Sequence, residues 1–183
     1  MTMEEKEIFI ELLKKLKGLD WFLIGGFFME VVTNGKRKGR DIDLVIHKND
    51  IDEFARRLNV KAQQRKLIKN GYVIEDYAIK TKFFGRNIEV TCGYPKKRVL
   101  GEMFDKLFEK KIKKKYYGLK FFIAPLEEII VLKAVLFRQK DIDDLILLKR
   151  FKVNYEFLRE LSEDQSAWKK VKTNLLKIGY KIK

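Results

Sequence analysis

The sequence predicts an α/β chain of the α+β kind: a mixed β-sheet with flanking helices, followed by a C-terminal helical region. Three observations carry this. Before residue 93, short apolar runs that end in glycine or polar loops are interspersed with helix-period segments. Alternating β-branched and aromatic residues over 72–92 mark a hairpin, and beyond residue 100 the pattern is almost entirely helical. At 183 residues the chain suits one structural unit, with residues 1–93 as the sheet-bearing core and 94–183 as a mostly helical region packed on it.

Leu12, Leu13, Leu16 and Leu19 recur at helical spacing, which predicts a helix over 4–18 that stops at Gly18. The run Trp21-Phe-Leu-Ile24 meets Gly25-Gly26, a buried strand entering a tight turn. FFMEVV reads as a short helix leading into the basic loop NGKRKG at 34–39, and Asp41 to Ile46 as the next strand. Residues 50–58 and 61–69 read as helices, and Gly85-Arg86 breaks the hairpin. Phe104, Leu107, Phe108 and Ile112 share a helix face. The charge run KKIKKK at 110–115 reads as a solvated helix end, with a nucleic-acid contact as its alternative. GLKFFI is a short extended piece, Pro125 suits the first turn of a helix, and 126–178 reads as helical with a break at Asn154.

Lysine and arginine number 41 against 26 acids, a formal charge of +15, which favours phosphate-bearing partners. The single cysteine, Cys92, excludes an internal disulfide and reads as a small buried residue rather than a nucleophile. The segment MTMEEKEIFIELL lacks the basic-then-apolar order of a secretory signal, and no eighteen-residue apolar stretch is present. A cytoplasmic protein is expected.

The tripeptide Asp-Ile-Asp occurs twice, in RDIDLVI at 40–46 and in KDIDDLI at 140–146. In the first copy a strand follows, so Asp41 and Asp43 point the same way, about 6–7 Å apart. Two carboxylates so placed repel one another unless a cation lies between them, and a hard divalent ion such as Mg²⁺ favours such oxygen ligands together with substrate phosphates. In the second copy a helix follows, so Asp141 and Asp143 diverge and Asp141 suits a helix cap. Just upstream of the first copy, Gly25 and Gly26 open a helix whose N–H groups suit a phosphate, with no Cβ in the way. Lys36, Arg37, Lys38 and Arg40 lie between that cradle and the carboxylates. Glu89 is an acid in the otherwise apolar strand NIEV. It reads either as an outward-facing strand residue or, with two aspartates awaiting a partner, as a third metal ligand or base.

The motifs LIGGFFMEVV, RDIDLVI and NIEV together resemble the polymerase-beta-type minimal nucleotidyltransferase superfamily, although the spacing from Gly26 to Asp41 is long. IAPLEEIIVLKAVLFRQKDIDDL supplies Lys133, Arg138, Lys140, Asp141, Asp144 and Leu145 in the order of its abortive-infection, or type IV toxin–antitoxin, branch. The resemblance spans roughly residues 20–150. It implies a nucleotidyltransferase fold and transfer of a nucleoside monophosphate from an NTP, such as ATP, to an acceptor hydroxyl. Asp41, Asp43 and Glu89 become the catalytic residues and the ligands of two Mg²⁺ ions, while Gly25, Gly26, Arg40, Lys133 and Asp141 become nucleotide-site residues. Lys133 also reads as a snorkelling lysine on a half-buried helix. The acceptor implied is a protein side chain, a tRNA end or a small hydroxylated compound, and a cognate antitoxin or other partner protein goes with the branch. The alternative is a non-catalytic nucleic-acid or partner-binding protein on the same fold. A metal-dependent phosphohydrolase is a weaker rival, because the only histidine, His47, lies just past the strand end and reads as a surface or loop residue.

Overall fold

Apolar side chains on α1 (Met3–Lys15) and just past its end give the first layer of the protein its contacts: Phe9, Leu12 and Leu16 are fully buried. In this computed structural model, which describes residues 3–69, 72–92, 100–164 and 167–182, seven strands form one mixed sheet. They are β1 (Trp21–Ile24), β2 (Ile42–Ile46), β3 (Gln63–Lys69), β4 (Tyr72–Phe83), β5 (Arg86–Cys92), β6 (Ile112–Tyr116) and β7 (Leu119–Ile123), in the order β3-β4-β5-β2-β1-β7-β6. The pairs β1/β7 and β2/β5 are parallel and the rest antiparallel. The central strands WFLI and IDLVI are almost wholly apolar, as strands covered on both faces must be.

Helices α1 and α2 (Gly25–Val32) cover one face of the sheet. Phe9 meets Phe27 of α2 and Phe121 of β7 edge-on, each with ring centroids 5.0 Å apart. Phe22 points to the opposite face, where it meets Phe108 of α4 (Leu100–Lys110) at 4.9 Å. Helix α3 (Ile51–Leu58) follows β2. The hairpin turns Phe84-Gly85 and Tyr117-Gly118 both have positive φ at both residues, the mirror-image turn that suits strand twist.

Two segments differ from the sequence reading. Residues 61–69, expected to be helical, contain β3; their Gln, Arg and Lys are good helix formers, but pairing along the twelve-residue β4 overrides propensity. KKIKKK, expected to end a helix, runs from α4 into β6, one of the two edge strands, where lysines protect an unpaired edge. The strand β7 at GLKFFI is as expected.

Contacts divide the chain into two units, Met1–Ala124 and Pro125–Lys183. The strands β6 and β7 are part of the first, whereas the boundary expected at 93/94 falls outside the described residues. The second unit holds α5 (Leu126–Leu136), α6 (Gln139–Leu148), α7 (Tyr155–Asp164) and α8 (Trp168–Lys177). Pro125 immediately precedes α5, and the break at Asn154 is a helix cap, its side chain accepting the Phe157 N–H at 3.1 Å. Among the described residues no helix is long and apolar enough to cross a membrane.

Candidate active site

Pairing across three strands sets side chains of the first unit in two rows on one sheet face. Asp43 of β2 lies opposite Glu89 of β5, which lies opposite Lys80 of β4. One step outward, Asn87 lies opposite Lys82, and its side-chain amide donates to Asp41 Oδ1 at 3.0 Å. These six residues line an open pocket of about 490 Å³. Asp41, expected within the strand, lies just before β2, and it lines the same pocket as Asp43.

The turn after β1 closes one side of this row. Ile24 pairs with Asp43, and Gly25 follows with φ +69. A Cβ on Gly25 would lie 1.8 Å from Asp43 Oδ2, so only glycine lets the carboxylate approach the turn. The Gly26 N–H at the start of α2 faces Asp43 Oδ2 at 3.4 Å, so the helix N-terminus and the carboxylate meet at one point.

The basic loop folds back over that N-terminus. A Cβ on Gly39 would come within 2.6 Å of the Phe27 backbone, and the Arg37 guanidinium approaches Gly26. Gly39 is held at both ends: its N–H donates to Glu30 Oε2 at 2.9 Å, and its carbonyl accepts from Arg86 Nη2 at 3.2 Å. Glu30 is buried within α2 and also accepts the Tyr116 hydroxyl at 3.1 Å. Burial pushes its carboxyl upward, but the Gly39 N–H, the Tyr116 hydroxyl and the nearby Lys38 charge outweigh it, leaving the pKa below its ordinary value. Burial, followed by the Glu30 charge, pushes the Tyr116 phenol up. Arg40 itself is exposed, between the clamped Gly39 and Asp41.

The donors at this site are all carboxylate oxygens, the set a hard divalent ion prefers. Each acid has a local partner: Asn87 for Asp41, the Gly26 N–H for Asp43, and Lys80 for Glu89 at 3.1 Å. Among the described residues no three His, Cys, Asp or Glu side chains are gathered closely enough to hold a metal ion as they stand. The side chains of Lys80 and Glu89 are 63% and 39% exposed, and an ion pair that open is weak and readily exchanged. The residues therefore fit Mg²⁺ by ligand chemistry and by shared face, provided that Glu89 and Asp41 change partners. His47 is elsewhere, its ring edge-on to Phe108 at 5.3 Å.

Lys133 and Asp141 belong to the helical unit. Lys133 is buried, bonded to Asp144 Oδ2 at 2.6 Å and 3.7 Å from Asp141 Oδ1. Asp141 accepts the Arg138 backbone N–H at 3.2 Å and its Nε at 2.7 Å, the reach-back of a capping box at the start of α6. Burial raises its carboxyl, but the Arg138 hydrogen bonds and Lys133 bring it below the ordinary range. Asp143 is exposed, so the two acids of the second Asp-Ile-Asp diverge as expected. The Cys92 side chain lies outside the described residues.

Sequence reading missed Lys80, Lys82, Asn87, Glu30, Gly39 and Arg86. For three of them the signal was present: counting back from the Phe84-Gly85 turn pairs Lys82 with Asn87 and Lys80 with Glu89.

No family model matches the chain, and no curated protein matches it. Solved structures do. An antigenic nucleotidyltransferase-like protein from Paracoccidioides brasiliensis superposes with a TM-score of 0.56 at 17% identity, over 97% of this chain and 88% of that one. A candidate nucleotidyltransferase from Thermotoga maritima gives 0.53 at 16% identity, over 79% of this chain and 92% of that one. The antibiotic-resistance factor ANT(2'')-Ia gives 0.50 at 12% identity, over 97% and 92%. The chain has the nucleotidyltransferase fold.

Proposed function

We propose that the chain is a Mg²⁺-dependent nucleotidyltransferase that moves a nucleoside monophosphate from an NTP to an acceptor hydroxyl. One observation carries this reading: Asp43 sits at once opposite Glu89 in the sheet and against the Gly25-Gly26 turn at the N-terminus of α2. That is the point at which a polyphosphate and its counter-ion must meet.

In this reading the α2 N–H groups and the adjacent Arg37 and Arg40 take the β- and γ-phosphates. Asp41 and Asp43 would hold the metal, with Glu89 as its third ligand or as the base, and the metal would supply neutralisation of charge at the reacting phosphate. The acceptor oxygen bonds to the α-phosphorus while the bond from that phosphorus to the α,β-bridging oxygen breaks. Pyrophosphate leaves with that electron pair. As the base, the Glu89 carboxylate, once released by Lys80, takes the hydroxyl proton. Clamping Gly39 between Glu30 and Arg86 fixes the loop leading into Asp41, so the charges are in place before substrate arrives. Lys133 and Asp141 enter as nucleotide-site residues only through the resemblance of their motif.

Calorimetric titration with a non-hydrolysable NTP tests the binding half of this reading. Saturable binding that requires Mg²⁺ and is lost in Asp41→Asn/Asp43→Asn is expected. Absence of NTP binding by the folded wild type overturns it and leaves a non-catalytic binding protein on this fold.

A further inference from the structure

We infer that Lys80 and Lys82 form an acceptor-side phosphate subsite, so that the acceptor is the hydroxyl-bearing end of a nucleic-acid strand. The inference rests on the nucleotidyltransferase reading for the direction of approach, and on the sheet for the rest.

The order of side chains across the face is fixed by register. The glycine turn follows Ile24, which pairs with Asp43; Asp43 pairs with Glu89, and Glu89 with Lys80. An NTP held at the glycine turn occupies the β1 side of the acids. The acceptor must then come from the β4 side, because its oxygen attacks opposite the departing pyrophosphate. There it meets Lys80 and Lys82, which share one strand face and line the pocket with the acids. Two strand spacings put Lys80 about 10 Å from Asp43, one nucleotide unit back from a terminal hydroxyl placed at the metal.

Among the described residues neither lysine has a packing duty that accounts for it. Lys82 is exposed, and the Lys80–Glu89 pair is too open to stabilise the strand appreciably. Metal binding would take Glu89 from Lys80 and leave the ammonium facing the incoming acceptor. A phosphodiester satisfies both ammonium groups, whereas a cationic acceptor meets two like charges beside the reaction centre.

The test uses the full chain and fluorescently labelled single-stranded twelve-nucleotide RNA and DNA of one sequence, followed by anisotropy over a salt series. Lys80→Ala/Lys82→Ala is compared with Lys80→Arg/Lys82→Arg and with Lys113→Ala/Lys115→Ala on the edge strand β6. Circular dichroism confirms that each is folded. The expected result is at least tenfold weaker binding in Lys80→Ala/Lys82→Ala, a log–log salt slope shallower by about 1.4 for two lost phosphate contacts, rescue by arginine, and little change in the β6 variant. The strand bound more tightly, RNA or DNA, names the source. Unchanged binding in Lys80→Ala/Lys82→Ala, or an equal loss in the β6 variant, overturns the subsite. NTP titration of the same proteins separates the two readings: if wild type binds NTP and the lysine pair is indifferent to strand binding, only this inference fails. If NTP does not bind but strand binding depends on the lysine pair, the subsite stands and the transferase reading fails.

Discussion

The backbone N–H of Gly39 donates to the buried carboxylate of Glu30 at 2.9 Å, and this contact holds the basic loop against the N-terminus of α2. Two residues outside the row of acids thereby set where Arg40 and Asp41 begin. Glu30→Gln keeps the shape but removes the charge that Gly39, Tyr116 and Lys38 face. A loss of about 1–3 kcal/mol in urea unfolding at neutral pH is expected. The pH dependence has a definite sign. The folded pKa of Glu30 lies below its ordinary 4.5, so its contribution is fully present above that value and disappears as pH falls through the folded pKa. The stability gap between wild type and Glu30→Gln should therefore narrow on acidification below about 4.5, and a gap that stays constant down to the acid transition contradicts the assignment.

Gly25→Ala combines a positive φ with a Cβ placed 1.8 Å from Asp43 Oδ2. The strain alone should cost about 1–2 kcal/mol, and relief requires Asp43 to move. Thermal unfolding and NTP titration of this variant should both show losses, whereas Gly85→Ala, with the same sign of φ and open space around it, should lose stability only.

Within the helical unit, Lys133 lies between Asp144 and Asp141. Lys133→Met removes the cation between two buried carboxylates, of which Asp141 keeps its hydrogen bonds to Arg138, and a loss of about 3–5 kcal/mol is expected in equilibrium unfolding. Adding Asp144→Asn should recover part of it. If Lys133→Met is as stable as wild type but binds NTP weakly, the lysine serves the nucleotide rather than the helices.

Much of the sheet was legible because its signals are local. WFLI and IDLVI are apolar runs with glycine or acid at their ends, and the spacing of Asp41 and Asp43 predicted the pocket that both line, although Asp41 lies just before the strand. The strands β3 and β6 were not legible: QQRKLIK and IKKKY carry helix-forming or charged residues, and only pairing with β4 and β7 makes them strands. Glu30 was a readable anomaly, an acid inside the apolar helix GGFFMEVV, but its partners are 9 and 86 residues away. Asp141 shows the reverse case, since its partner lies three residues back and its reading as a helix cap needed only local sequence.

The most direct measurement is transfer itself. Purified protein is incubated with Mg²⁺ and each α-labelled NTP in turn, with and without total tRNA, beside Asp41→Asn/Asp43→Asn. The expected result is label on an acceptor, with equimolar pyrophosphate released, and neither in the variant. Label that persists in the variant, or a wild type that binds NTP and Mg²⁺ yet labels neither itself nor RNA and releases no pyrophosphate, contradicts the assignment of Asp41 and Asp43 to nucleotidyl transfer.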